Sequence, residues 1–142
     1  MTAREASPGE VPGGRLEQQR VRNRIIDYLE LVASFEQQLA FEQDVPIAYV
    51  PYEVINLWEE RVGADLFVRL AALPVLDEAE GEALQIFEPV WERAAEQLPH
   101  DFPLLSEVQE LGLWKQLRVA GEEALAVFQR RGRMPEDREV PW

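Results

Sequence analysis

The side chains best suited to chemistry in this chain are carboxylates. Asp27 and Glu30, and again Glu107 and Glu110, stand three residues apart, which on a helix brings each pair onto one face. Acid pairs converging from two helices can hold Mg²⁺, a hard cation with oxygen ligands that can activate water for hydrolysis. Asp27, Glu30, Glu107 and Glu110 are therefore the candidate metal ligands of a Mg²⁺-dependent hydrolase. A working site of that kind clusters its acids, whereas these pairs are isolated in a chain holding 27 of them. A solvated acidic face is the simpler expectation.

Other catalytic groups are scarce. His100 is the only histidine, and it sits beside Asp101 in a turn bracketed by Pro99 and Pro103. One imidazole cannot build a His-rich zinc, haem or iron site, and no Gly-x-Ser-x-Gly elbow is present to make it a triad base. The chain has no cysteine, which removes disulfides, thiolate metal sites and thiol nucleophiles. Gly13-Gly14 is not followed by the Gly-Lys-Ser/Thr of a phosphate loop. No catalytic residue and no cofactor are expected.

One segment has the composition of a protein interface. Between Asp44 and Glu60, Tyr49, Tyr52 and Trp58 are interleaved with Glu53, Glu59 and Glu60, and Pro46 and Pro51 stiffen the entry. Tyr and Trp on a rigid element are typical interface anchors, and Asn56 among apolar neighbours can add one directed hydrogen bond. The competing reading is a stiff connector whose aromatics cover the first helix.

Charge is unevenly distributed. The 142 residues carry 14 basic and 27 acidic side chains, a net charge of -13. Residues 25–129 hold -16 of it, and the two ends together hold +3. An acidic body argues against general nucleic-acid binding, which needs clustered Lys and Arg. At one end lie Arg15, Arg20, Arg22 and Arg24, and at the other Arg130, Arg131 and Arg133. The latter suit a helix C-terminus, as Asp77, Glu78 and Glu80 suit an N-terminus. If the main helices alternate in direction, Arg20, Arg22, Arg24, Arg130 and Arg131 meet at one basic pole.

The elements that must position these residues read as helices. Residues 1–14, rich in Pro and Gly, are expected to be a flexible arm. Val21, Ile25, Leu29, Val32 and Leu39 recur at helical spacing, predicting one long N-terminal helix over 15–43, about 43 Å at 1.5 Å per residue. A connector follows to Val50, then a short helix from Pro51 to Gly63 and another piece from Asp65 to Pro74. Asp77 and Glu80 form a capping-box pattern that starts a helix running toward Leu98, which Pro89 should bend. A short helix at 104–111 and a last one over 113–131 complete the series. Gly81 and Gly121 inside helices point to close packing against a neighbour. No period-two alternation marks a sheet.

The expected fold is thus an all-α single-domain bundle of four to six helices over 15–132, with an irregular C-terminal tail over 133–142. No apolar h-region opens the chain and no apolar run reaches the ~20 residues of a membrane span, so a cytoplasmic protein with no membrane partner is expected. The expected function is a non-enzymatic acidic interaction module binding a protein partner, a basic one by charge. Neutralising a basic enzyme is one version. The alternatives are the Mg²⁺ hydrolase and a structural homo-oligomer component, a homodimer with its basic pole against an acidic flank.

Overall fold

Val21, Ile25, Leu29 and Val32 are all buried on one face of the first helix. The computed structural model describes residues 14–62, 73–101 and 103–142, and for 59–62 the backbone alone. Within them lie six helices and no strand: α1 (Arg15–Ala33), α2 (Phe35–Asp44), α3 (Val50–Val62), α4 (Glu78–Gln97), α5 (Leu105–Glu110) and α6 (Gly112–Gln129). The architecture is an all-α bundle. The expected arm (except Gly14), the piece from Asp65 toward Leu73 and the side chains of Glu59 and Glu60 lie outside the described residues.

The predicted 15–43 helix is broken at Ser34, so the long N-terminal helix ends at Ala33. Ser34 takes extended backbone, and its hydroxyl accepts the Gln37 N–H at 3.1 Å, capping α2. The carbonyls freed at the end of α1 are taken up by the buried Gln38 side chain, which donates to Leu31 and Val32. Its amide oxygen accepts from Gln109 and from the Trp114 indole, tying α2 to α5 and α6. The change of direction leaves Leu39, expected on the buried stripe, largely exposed.

α6 is the central helix, packed most extensively against α1 and α4. At Gly121 α6 passes close against α1: a Cβ there would lie 2.8 Å from Val32 Cγ1. The expectation of close packing at that glycine holds. α4 starts with the predicted capping box, Asp77 accepting from the Glu80 N–H at 2.8 Å and Glu80 from the Asp77 N–H at 3.2 Å. Pro89 lies within α4 on its exposed side, where the lost hydrogen bond faces water. Between the helices Tyr28, Trp58 and Phe87 form an aromatic cluster with centroids 4.9–6.3 Å apart. Residues 133–142 contain no helix and lie against the start of α1.

Candidate functional site

α1 and α6 run antiparallel, so the start of α1, the end of α6 and the start of α4 share one end of the bundle. There Arg22 and Arg131 converge on Glu80. Arg22 Nη2 lies 2.7 Å from Glu80 Oε2, with both side chains fully buried. Arg22 also donates to the carbonyls of Phe128 and Gly132 and stacks over the Phe128 ring. Arg131 binds Glu80 and Asp77 and donates to the Val75 carbonyl at 2.7 Å. Burial by itself raises the Glu80 carboxyl; the hydrogen bonds from Arg22 and Arg131, aided by the Arg22 charge, outweigh it and hold the group below the usual glutamate range.

Two members of the expected basic pole, the buried Arg22 and the more exposed Arg131, are therefore drawn into an ion cluster around Glu80. The fold encloses Arg22 because it continues the buried stripe of Ile26 and Leu29 by one turn. Arg20 donates to the Glu136 carbonyl at 2.9 Å, while Arg24 and Arg130 are exposed. The tail completes this end. The buried Gln19 amide donates to Pro135 and Arg138 carbonyls and accepts the Val140 N–H, and Asn23 brackets Met134 in the same way. Arg15 lies 4.3 Å over the Trp142 ring. Gln19 and Asn23 were missed by sequence reasoning, although both fall within the helical turn that buries Arg22.

The candidate metal ligands are not brought together. Asp27 and Glu30 both bind Arg133 from the tail, with Asp27 at 2.6 Å. Glu107 and Glu110 lie on α5, where Glu110 pairs with Lys115 at 3.4 Å. Among the described residues, no three His, Cys, Asp or Glu side chains come close enough to share a metal ion.

Trp58 is buried in the core, and the Tyr52 hydroxyl donates to the Pro99 carbonyl at 2.8 Å. Tyr49 donates to the Pro103 carbonyl and meets the Tyr52 ring edge-on at 4.7 Å. Burial raises the Tyr49 phenol, with the charges of Asp101 and Glu107 adding to it. Glu53 is half-buried and Asn56 exposed. The tyrosines thus clamp the connector between α2 and α3 onto the 99–103 turn. What projects from the clamp is aliphatic: Ile47 is 97% exposed, Leu104 65% and Val45 42%. Asp44, Asp101 and Glu107 are exposed around them.

Comparison with family models, curated proteins and solved structures finds no match for this chain. Among the described residues no helix is long and apolar enough to cross a membrane.

Proposed function

We propose that the chain is a non-enzymatic acidic helical module that docks a basic protein through the connector between α2 and α3. The observation that carries this reading is Ile47, an isoleucine 97% exposed on a segment its neighbours hold rigid. Two tyrosine hydroxyl bonds fix the connector and the start of α3 against the 99–103 turn, so ordering cost on binding is low. An aliphatic anchor on an element that also exposes Asp44, close to Asp101 and Glu107 beside Tyr49, suits a partner with an apolar socket rimmed by Lys or Arg. The charge accelerates encounter, and the apolar contact supplies residence time. Tyr49, Tyr52 and Trp58 act here as supports rather than as contacts.

The test begins with immobilised protein exposed to native extract at low salt. Each retained protein is then purified and titrated against wild type, Ile47→Asp with Leu104→Asp, and Glu107→Lys, with circular dichroism as the folding check. The expected result is a basic partner whose affinity falls at least tenfold with the aliphatic double change and falls again at raised salt. A purified partner indifferent to all three changes, or no partner at all, overturns the reading.

A further inference from the structure

The C-terminal tail lies on the start of α1 as a bound peptide would. Arg15, Gln19, Arg20 and Asn23 of α1 reach it, and they chiefly engage its main chain. Asn23 takes both the N–H and the carbonyl of Met134, and Gln19 takes the Pro135 and Arg138 carbonyls and the Val140 N–H. Arg20 adds the Glu136 carbonyl at 2.9 Å, and Arg15 the Val140 carbonyl at 3.2 Å. Bonds of this kind hold a chain in place whatever its side chains are.

Side chains are selected chiefly at the two ends. The first residue of the tail, Arg133, is gripped between Asp27 and Glu30. The last, Trp142, lies beneath the Arg15 guanidinium, 4.3 Å from its ring centroid, and directs its indole N–H at Gln19. Met134 adds a half-buried apolar contact next to Arg133, and Asn23 also donates to the Glu136 carboxylate at 2.9 Å. Asp137 and Glu139 are exposed. We propose that this face of α1 is a docking site for a short non-helical segment of another protein. Such a segment carries an arginine at its head and an aromatic side chain at its foot, and the tail is its attached competitor.

The tail can be displaced because its joint and its contacts are both reversible. It joins α6 through Gly132, whose φ of +74° is in the left-handed region. Glycine leaves that conformation for another without steric cost, so this residue can serve as the joint. The α1 side chains that hold the tail are carboxamides and arginines, which water rehydrates when it lifts. Met134 and Trp142 are only half-buried, and the Arg133–Asp27 pair is half-exposed on both sides, where salt screens it. Tethering gives the tail a high effective concentration, so it lowers the apparent affinity of a free ligand by the fraction of time the site is open. The site shares no residue with the Ile47 connector, so either proposal can fail without the other.

The test uses the full chain and a probe peptide copying residues 133–142, acetylated at its N-terminus, titrated by calorimetry at low salt. Wild type is compared with Arg133→Ala Trp142→Ala, which loosens the tail and leaves every α1 side chain of the site intact. Circular dichroism is the folding check. The loosened chain should bind the peptide at least tenfold more tightly than wild type does. That affinity should fall at least tenfold when the peptide carries Arg133→Ala, or when the loosened chain carries Asp27→Asn with Glu30→Gln. No saturable binding by the loosened chain up to millimolar peptide, equal binding by wild type, or indifference to the arginine change overturns the proposal. A wild type that instead dimerises by exchanging tails, detected by sedimentation, would make the ligand a second copy and overturns it too.

Discussion

The Arg22 guanidinium and the Glu80 carboxylate, 58 residues apart in the chain, meet at 2.7 Å with no exposure of either side chain. Two charges removed from water are held because both partners make further hydrogen bonds. Glu80 also takes Arg131 and the Asp77 N–H, and Arg22 takes the carbonyls of Phe128 and Gly132. One carboxylate thus starts α4, fixes its position against α1 and secures the chain just beyond α6. This arrangement specifies how three helices meet; its net worth in stability is smaller than its geometry suggests.

Removing one partner of such a pair is costly, because the other is left charged and buried. Glu80→Gln should lower the unfolding free energy by about 3–5 kcal/mol. Replacing both, Arg22→Met with Glu80→Met, should cost less than Glu80→Gln alone, since no charge is stranded. Urea denaturation of the three proteins gives the comparison. A double variant at least as unstable as the single one would refute the desolvation argument.

Acid sensitivity follows from the same group. The Glu80 carboxyl is held below its ordinary value in the fold, so near pH 4.3 the unfolded chain binds more protons than the folded one. Its contribution is complete above the unfolded value and is lost as pH falls through the folded one. Glu88 works in the opposite sense: burial, with the Glu92 charge behind it, raises its carboxyl, so its protonation on acidification favours the fold. Urea midpoints measured from pH 7 to about pH 3 should fall for wild type and fall less for Glu80→Gln. Equal slopes would assign the acid response elsewhere.

Gly121→Ala tests the contact between α6 and α1. An added Cβ would lie 2.8 Å from Val32 Cγ1 and 3.4 Å from its Cβ, and Val32 is buried and β-branched, with little freedom to turn away. Overpacking costs about 1–3 kcal/mol, against about 1 kcal/mol gained in helix propensity. The expected outcome is a net loss of about 1 kcal/mol, reduced when Val32→Ala is added to make room. Stabilisation by Gly121→Ala alone would show that the helices can separate without penalty.

How far each feature could be read in advance tracks its reach along the chain. The Asp77–Glu80 capping box lies within one turn, and three-residue spacing was enough to identify it. Ser34 and Gln37 stand at capping-box spacing, a comparable local signal for the break, but the apolar stripe runs past it to Leu39 and masks it. Arg22 shares a helical face with Ile26 and Leu29, so its burial was legible; its partner was not, because pairing with Glu80 depends on how α1 and α4 are laid side by side. Tyr49 and Tyr52 have side chains equally suited to an interface or to an internal clamp. Only the topology, by bringing the carbonyls of Pro99 and Pro103 within reach, creates the clamp. In sequence, an exposed aliphatic residue such as Ile47 looks like any other until its surroundings are known.

The tail over 133–142 yields the last prediction. Residues 133–142 have no period and no regular structure, yet Gln19 and Asn23 of α1 treat them as a neighbouring strand would. Asn23 accepts the Met134 N–H at 3.0 Å and donates to the Met134 carbonyl at 2.7 Å. Gln19 accepts the Val140 N–H at 2.9 Å and donates to two further carbonyls. Amides that are bonded and partly buried exchange slowly even outside helices. The Met134 and Val140 amides should therefore be protected from hydrogen exchange. Asn23→Ala should accelerate Met134 selectively and Gln19→Ala should accelerate Val140, each by at least tenfold. Asn23→Ala removes three hydrogen bonds and Gln19→Ala four, worth about 1 kcal/mol apiece, so global stability should fall by about 2–4 kcal/mol while the helical content is kept. Amide-resolved exchange by NMR makes the measurement. Free exchange at Met134 and Val140 in the wild type would mean the tail does not rest on α1. Arg133 would then be released from Asp27 and Glu30 as well, leaving that acid pair unneutralised.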